Sequence, residues 1–429
     1  MATMLMLSFV VLLFLGVPVA IGMGVSGLLS FIFFKSSMPM VVIVQKIYNQ
    51  LDLFSLMAVP LFVLTGQLMN TGGITKKIIN FSKIFVGRIP GGLSHVNVLA
   101  SMFFAGVSGS STADAAGIGA ILVPAMIEDG YEEDWAVCVT AASSTIGPII
   151  PPSILMIIYG SMTHLSVGRL FLCGLVPGVL IGLSQIVIGY VLAIKRKRPK
   201  EDFHMTGREI LKAVKECWPT LLAPLIIIFG ITGGVFSPTE AGMVAALYMF
   251  IVGIATKELT FKKIMDVLWE TAKNTGMILF IIGCASIFGW VLAYEKVPDD
   301  ILGVMMKISM NPQVIISMTI VILLIAGLFL DGIAAMLIFV PVLFPLTQLV
   351  GIDPYHFAIL VVVALVIGGI TPPMGILLYI TCAVGNVSIT KITPLIWVFV
   401  LAMVVVLLLI AFIPELVLFI PTLLMGQGG

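Results

Sequence analysis

The chain has 429 residues, 60% of them hydrophobic and 10% charged, with 22 Lys and Arg against 21 Asp and Glu. Soluble domains carry about 25% charged residues, so this composition excludes one and points to a membrane protein. The net charge of +1 says nothing by itself about partners, and no strongly basic tract of nucleic-acid type occurs beyond "KRKRPK". Cys138, Cys173, Cys217, Cys284 and Cys382 form no C-x-x-C pair, so neither a disulfide framework nor a zinc site is indicated.

In chain order, positions 4–34 read as a first membrane helix with a weak point between Gly16 and Pro18, lacking the basic start of a signal peptide. Apolar segments follow near 52–70, 92–127, 135–162, 170–194, 217–234, 239–256, 275–295, 313–350, 356–384 and 394–424. Segments 92–127 and 313–350 are too long for one crossing and have the turn-prone centres "GVSGSSTAD" and "GLFLDG". Each is read as a re-entrant hairpin, whose tip must be buried in protein or face a cavity. Segments 135–162 and 356–384 contain "GPIIPPS" and "GGITPPM", where proline removes backbone donors; both are predicted to be broken helices. "GREILKAVKECWPT" and "LTFKKIMDVLWETAKN" read as amphipathic helices along the cytoplasmic interface, or as simple loop helices.

With both hairpins counted as re-entrant, 17 of the 22 Lys and Arg fall on one face, the cytoplasmic one. "KRKRPK" is then a topology anchor. "DAAGIGAILVP" from Asp114 aligns with "DGIAAMLIFVP" from Asp331 at an offset of 217, and the glycine–proline breaks align at 221, implying four extra residues in the intervening turn. Four simple crossings separate the halves, so the repeats are inverted. The expected fold is an all-α integral membrane protein, an inverted repeat with two re-entrant hairpins and two broken helices. Secondary transporters use that architecture, with the site at the repeat interface.

Broken helix ends expose carbonyls to cations and N–H groups to carboxylates. One cation site is expected at Ser108, Ser110, Ser111, Gly147 and Ile150, and a second at Gly327, Asp331, Gly368, Thr371 and Met374. Asp114, Ser143, Ser144, Thr145, Pro151 and Pro372 are assigned to the substrate, with Thr140 a weaker candidate. Asp114 and Asp331 read either as cation or proton-coupling carboxylates or as helix N-caps. The hydroxyls from Ser143 to Thr145 read either as substrate ligands or as groups bonded back to the helix. All five arginines lie at segment ends or in loops, so an anionic substrate has helix ends and bound cations to neutralise it; this favours cation-coupled symport.

Through "GVSGSSTADAAGIGAILVP…GY…GPIIPPS" and "DG…GIDPYHF…GGITPP" the chain resembles the large membrane subunit of TRAP transporters (tripartite ATP-independent periplasmic transporters) over nearly its whole length. The resemblance implies a bacterial inner-membrane protein that imports an organic acid, sialic acid or a C4-dicarboxylate with sialic acid preferred. It implies symport with two or more sodium ions and an elevator movement. Its implied partners are a separate four-helix membrane subunit and a periplasmic substrate-binding protein. The implied division is 1–91 scaffold, 92–162 first transport repeat, 163–312 scaffold and arms, 313–384 second transport repeat and 385–429 a C-terminal helix. A channel would also use carbonyl rings and an intramembrane acid, but two inverted hairpins fit alternating access better. No H-E-x-x-H, no nucleophile–base motif and no G-x-x-x-x-G-K-[ST] argues for an enzyme or an ATP-driven pump.

Overall fold

The computed structural model describes residues 1–33, 39–71, 73–197 and 206–426, and among these the chain is wholly helical and turn. Among the described residues, seven helices are long and apolar enough to cross a membrane. The anchor expected at "KRKRPK" lies partly outside the described residues, which end at Lys197 and resume at Thr206.

Both hairpins and both broken helices form where the sequence places them. The first hairpin has a leading arm Gly92–Ser108 and a return arm made of Ser111–Gly117 and Gly119–Glu128. The second has Pro312–Phe329, then Gly332–Leu343 and Pro345–Val350. The broken helices are Glu133–Ser144 with Ile154–Thr163, and Pro354–Gly368 with Ile376–Gly385. Each break ends in a cis Pro-Pro pair, Pro151-Pro152 and Pro372-Pro373. The first half of each broken helix packs against the second half of the other or its neighbour, so the two run antiparallel. Each return arm also packs on the second half of the opposite repeat's broken helix. The halves are therefore interlocked, not merely adjacent.

The structure corrects the repeat register. Gly130 and Gly351 are the left-handed turn glycines, with φ of 80° and 71°. Glu132 and Asp353 are the N-caps that follow, and Ser110 and Asp331 are the N-caps of the return arms. Every pair differs by 221 in number (351 − 130, 353 − 132, 331 − 110), as do the break glycines (368 − 147). No residues are inserted in the turn. Asp331 is thus the counterpart of Ser110, and Asp114 lies opposite Ala335, one helical turn further along. The same register pairs Val19–Phe33 with Pro238–Ala255 and Ile74–Val86 with Val297–Ile308. It also pairs Val41–Leu51 and Ala58–Thr71 with the two parts of Phe261–Tyr294. The repeat covers most of the chain.

Three further expectations change. Positions 4–34 are not one helix: Ala2–Phe14 and Val19–Phe33 are separate and pack on each other, Phe9 lying against Gly22. The glycine–proline stretch between them is a full turn because Gly16 takes a φ of 77°. The two amphipathic stretches are not separate interfacial helices; they are the N-terminal portions of Gly207–Thr232 and Phe261–Tyr294. The latter is about 50 Å long at 1.5 Å per residue, more than a bilayer core needs. Finally, Val167–Lys195 and Ile389–Phe412, assigned above to scaffold and C-terminus, pack directly on the hairpins and broken helices. Each hairpin and broken helix thus has one full-length helix packed against it. Arg169, near the start of the first such helix, stacks 4.9 Å over the Tyr355 ring at the start of the second broken helix. Lys391, near the start of the other, meets Glu133 at 2.6 Å. Cation and partner change, but the place in the inverted repeat is the same.

Candidate functional site

The first hairpin tip turns on Gly109, whose φ is 59°. A Cβ there would sit 3.3 Å from the Ile154 nitrogen, so only glycine lets the tip approach the second half of the broken helix. The Ile154 N–H donates to the Gly109 carbonyl at 3.4 Å. Ser110 caps the return arm, accepting from the Ala113 N–H, and Ser153 caps the second half-helix, accepting from Met156 N–H at 3.2 Å.

Asp114 lies behind this tip, 1% exposed. Ser108 Oγ donates to its Oδ1. Its Oδ2 has no hydrogen-bond partner. That oxygen faces the Gly147 Cα, the first glycine of the break, where a Cβ would collide with it. Asp114 is not a helix cap, since Ser110 takes that place. A buried carboxylate with one oxygen unpaired costs several kcal/mol. A small cation between Asp114, the Ser108 hydroxyl and the backbone around Ser110 and Gly147 would remove that cost, and hard oxygen donors suit such an ion. Ser108, Ser110 and Gly147 thus gather as expected, and Asp114 joins them. Ile150 instead packs its side chain on Gly178 of the adjoining full-length helix.

The second junction is built differently. Gly327 and Gly368 meet back to back, and a Cβ on Gly327 would lie 2.9 Å from the Gly368 Cα. Thr371 Oγ1 donates to the Ile367 carbonyl at 2.7 Å, and the Thr371 N–H to Gly368 at 3.0 Å. Asp331 caps its helix, Oδ2 accepting from the Ile333 N–H at 3.0 Å. Met374 is exposed.

Between the tips lies a cavity of about 570 Å³. Ser108 to Ala113 and Leu330 to Ile333 form its tip walls; Pro148, Leu365, Val366 and Gly369 belong to the broken helices. Ser110, Ser111 and Asp331 face it, whereas Asp114 does not line it. Asp331 is the one charged side chain among the described lining residues. Ser143, Ser144 and Thr145 are buried away from it: Ser143 Oγ donates to Asn97 Oδ1 at 2.9 Å, and the other two bond back to Ala141 and Ala142. Pro151 and Pro372 shape the breaks without a polar side-chain atom to offer a substrate.

Two residues that sequence reasoning passed over hold the first break in place. Asn97 Nδ2 donates to Thr140 Oγ1 at 2.7 Å, joining hairpin to broken helix. Gln185 Nε2 donates to the Ala142 carbonyl at 2.9 Å, an oxygen that also accepts from the Thr145 N–H at the end of the first half-helix. Each is a lone amide in an apolar helix, a cue as informative as an intramembrane acid.

Inverted hairpins meeting broken helices at a shared cavity are the architecture of secondary transporters. Residues 6–416 match the family model "Tripartite ATP-independent periplasmic transporter, DctM component", and the chain belongs to that family. It is 39% identical over 421 residues to the sialic acid TRAP transporter large permease protein SiaM of Vibrio cholerae, covering 97% of each chain. It is 36% identical over 449 residues to the C4-dicarboxylate TRAP transporter large permease protein DctM of the same organism, covering 99% of each. The YdaH transporter of Alcanivorax borkumensis shares the fold, with a TM-score of 0.61 at 14% identity over 86% of each chain. The chain is thus a multi-pass TRAP permease subunit of the bacterial inner membrane, not an enzyme.

Proposed function

We propose that this subunit couples sodium entry to import of an organic acid, sialic acid in preference to a C4-dicarboxylate. A periplasmic binding protein delivers the acid, and a separate small membrane subunit completes the carrier. The observation that carries sodium coupling is the unpaired Asp114 oxygen facing the Gly147 break, directly behind the cavity wall. A cation held there also supplies positive charge beside a cavity whose one charged side chain among the described lining residues is an acid. The second junction offers backbone oxygens for a second ion. A four-carbon diacid leaves much of the 570 Å³ to water, whereas a polyhydroxylated sugar acid fills more of it and meets its serines and amides.

The cavity walls support an elevator movement. One side belongs to the interlocked repeat cores, the other to Ala58–Thr71 and Phe261–Tyr294, which pack on each other and on the N-terminal helices. The deciding experiment is reconstitution of all three components in proteoliposomes with labelled N-acetylneuraminate or succinate. Uptake of N-acetylneuraminate is expected under an inward sodium gradient and its collapse when potassium replaces sodium. Full uptake without sodium overturns the coupling, and uptake of succinate alone overturns the substrate.

A further inference from the structure

Beyond the hairpin tips the cavity is also lined by two helices outside the hairpins and broken helices. Its scaffold wall is made by Val63, Gly66, Gln67 and Asn70 from one helix and by Asn274, Met277, Ile278 and Ile281 from another. These positions recur at helical spacing, so each set is one face of its helix. Gly66 touches the hairpin tip: a Cβ there would lie 3.3 Å from the Ser108 Cα. Asn70 is four residues further, about 6 Å along the axis. It lies next to the end that leads into Lys76, Lys77 and Lys83. Asn274 lies 13 residues (274 − 261), about 20 Å, into a helix that begins with Lys262 and Lys263, and about 10 Å closer than Ile281 to those lysines. Both amide-bearing ends therefore point to the lysine-rich, cytoplasmic face. Asn70 Oδ1 accepts from Thr75 Oγ1 at 3.3 Å. Gln67 and Asn274 form no hydrogen bond with another described residue, which leaves their amides to whatever occupies the cavity.

We infer that Gln67, Asn70 and Asn274 form the cytoplasmic release path, a ladder of neutral amides that receives the carboxylate and hydroxyls of the substrate as it leaves the hairpin tips. The inference rests on the proposed function for the nature of the cargo, though not for the direction of the path. The chemistry fits release better than capture. An amide N–H offers a short-range hydrogen bond in place of lost water, whereas a lysine or arginine would hold an anion by long-range attraction. The apolar stretch of Met277, Ile278 and Ile281 would otherwise be crossed without any polar contact.

Two measurements test this. Gln67→Cys and Asn274→Cys are treated with a membrane-impermeant thiosulfonate in right-side-out and in inverted vesicles; four of the five native cysteines are buried, so background is low. Modification is expected in inverted vesicles only. Equal modification from both faces, from the outer face alone, or from neither overturns the path, whether or not a transport substrate has been found. In the complete reconstituted transporter, N-acetylneuraminate loaded inside inhibits uptake from outside. Gln67→Ala and Asn274→Ala are expected to raise the internal concentration for half-inhibition about three- to tenfold, as loss of one hydrogen bond implies, and to move external KM less. Asn274→Lys is expected to lower it. Equal shifts on both sides would mark a structural role, and no shift on either would remove the amides from the path. If the wild-type chain carries no N-acetylneuraminate, the proposed substrate fails while the labelling result stands.

Discussion

The two hairpin–break junctions occupy the same register of one inverted repeat, yet they are made of different chemistry. The first places hydroxyls at Ser108, Ser110 and Ser153 and a buried carboxylate at Asp114. In the second, the counterparts of Asp114 and Ser153 are Ala335 and Met374, and two glycines press backbone on backbone. Its acid, Asp331, is bound by a helix N-terminus that already satisfies one of its oxygens. Duplication fixed where the backbone opens. It did not fix which atoms face the opening. A site that holds charge through a carboxylate is set against one that relies on carbonyl dipoles, so substitutions at equivalent places are expected to give unequal results.

The largest difference is expected at Asp114. With no cation bound, its unpaired oxygen destabilises the fold, because a buried polar atom lacks a partner. Asp114→Asn is therefore expected to unfold no more readily than wild type in sodium-free detergent. It is also expected to lose the rise in melting temperature that sodium gives the wild type, since stabilisation by a ligand needs its site. Sodium for half-maximal uptake should rise more than about tenfold, the loss of one charge-assisted ligand. An unchanged sodium response in both assays would make the two junctions equivalent after all.

The reason this contrast was not legible in the sequence is itself physical. The breaks were readable because proline and glycine act locally: a helix cannot pass through "PIIPP" whatever surrounds it. The hairpins were readable from length and from the sorting of lysines. Register was not, because two aspartates followed by small apolar residues align well while having different jobs, one capping and one buried a turn later. Only cap geometry and the left-handed glycines at Gly130 and Gly351 resolve it. Nor was the packing of Val167–Lys195 and Ile389–Phe412 on the hairpins and broken helices readable, since a helix apolar on every side says nothing of its neighbours. Ser143, Ser144 and Thr145 looked like ligands by composition and proved to be bonded within the core.

A second, smaller effect sharpens the backbone side of the comparison. Gly327→Ala places a methyl 2.9 Å from the Gly368 Cα, with no flexible side chain able to yield. Overpacking of this kind costs about 1–3 kcal/mol. The expected outcome is a lower melting temperature with or without sodium, because the damage is to packing. Gly66→Ala tests the proposed sliding surface by contrast: its Cβ would stand 3.3 Å from the Ser108 Cα. It should slow uptake more than it lowers melting temperature. Equal losses in both variants would erase the distinction between a fixed junction and a moving one.

The smallest effect belongs to Asp331, and it decides whether that acid caps or coordinates. Asparagine is about as good an N-cap as aspartate, because its side-chain oxygen also accepts from the first-turn N–H groups. If Asp331 serves the helix alone, Asp331→Asn keeps the bond to Ile333 N–H and leaves stability unchanged within about 0.5 kcal/mol, while Asp331→Ala loses about 1 kcal/mol. The carboxylate also faces the cavity, so removing its charge weakens the field felt by any ion at the second junction without removing a carbonyl ligand. Half-saturating sodium is therefore expected to rise less than about threefold in Asp331→Asn, against more than tenfold in Asp114→Asn. Both variants are compared in the same proteoliposomes, alongside their melting temperatures. A shift at Asp331 as large as that at Asp114, with stability intact, would make it a direct ligand and bring the second junction back into line with the first.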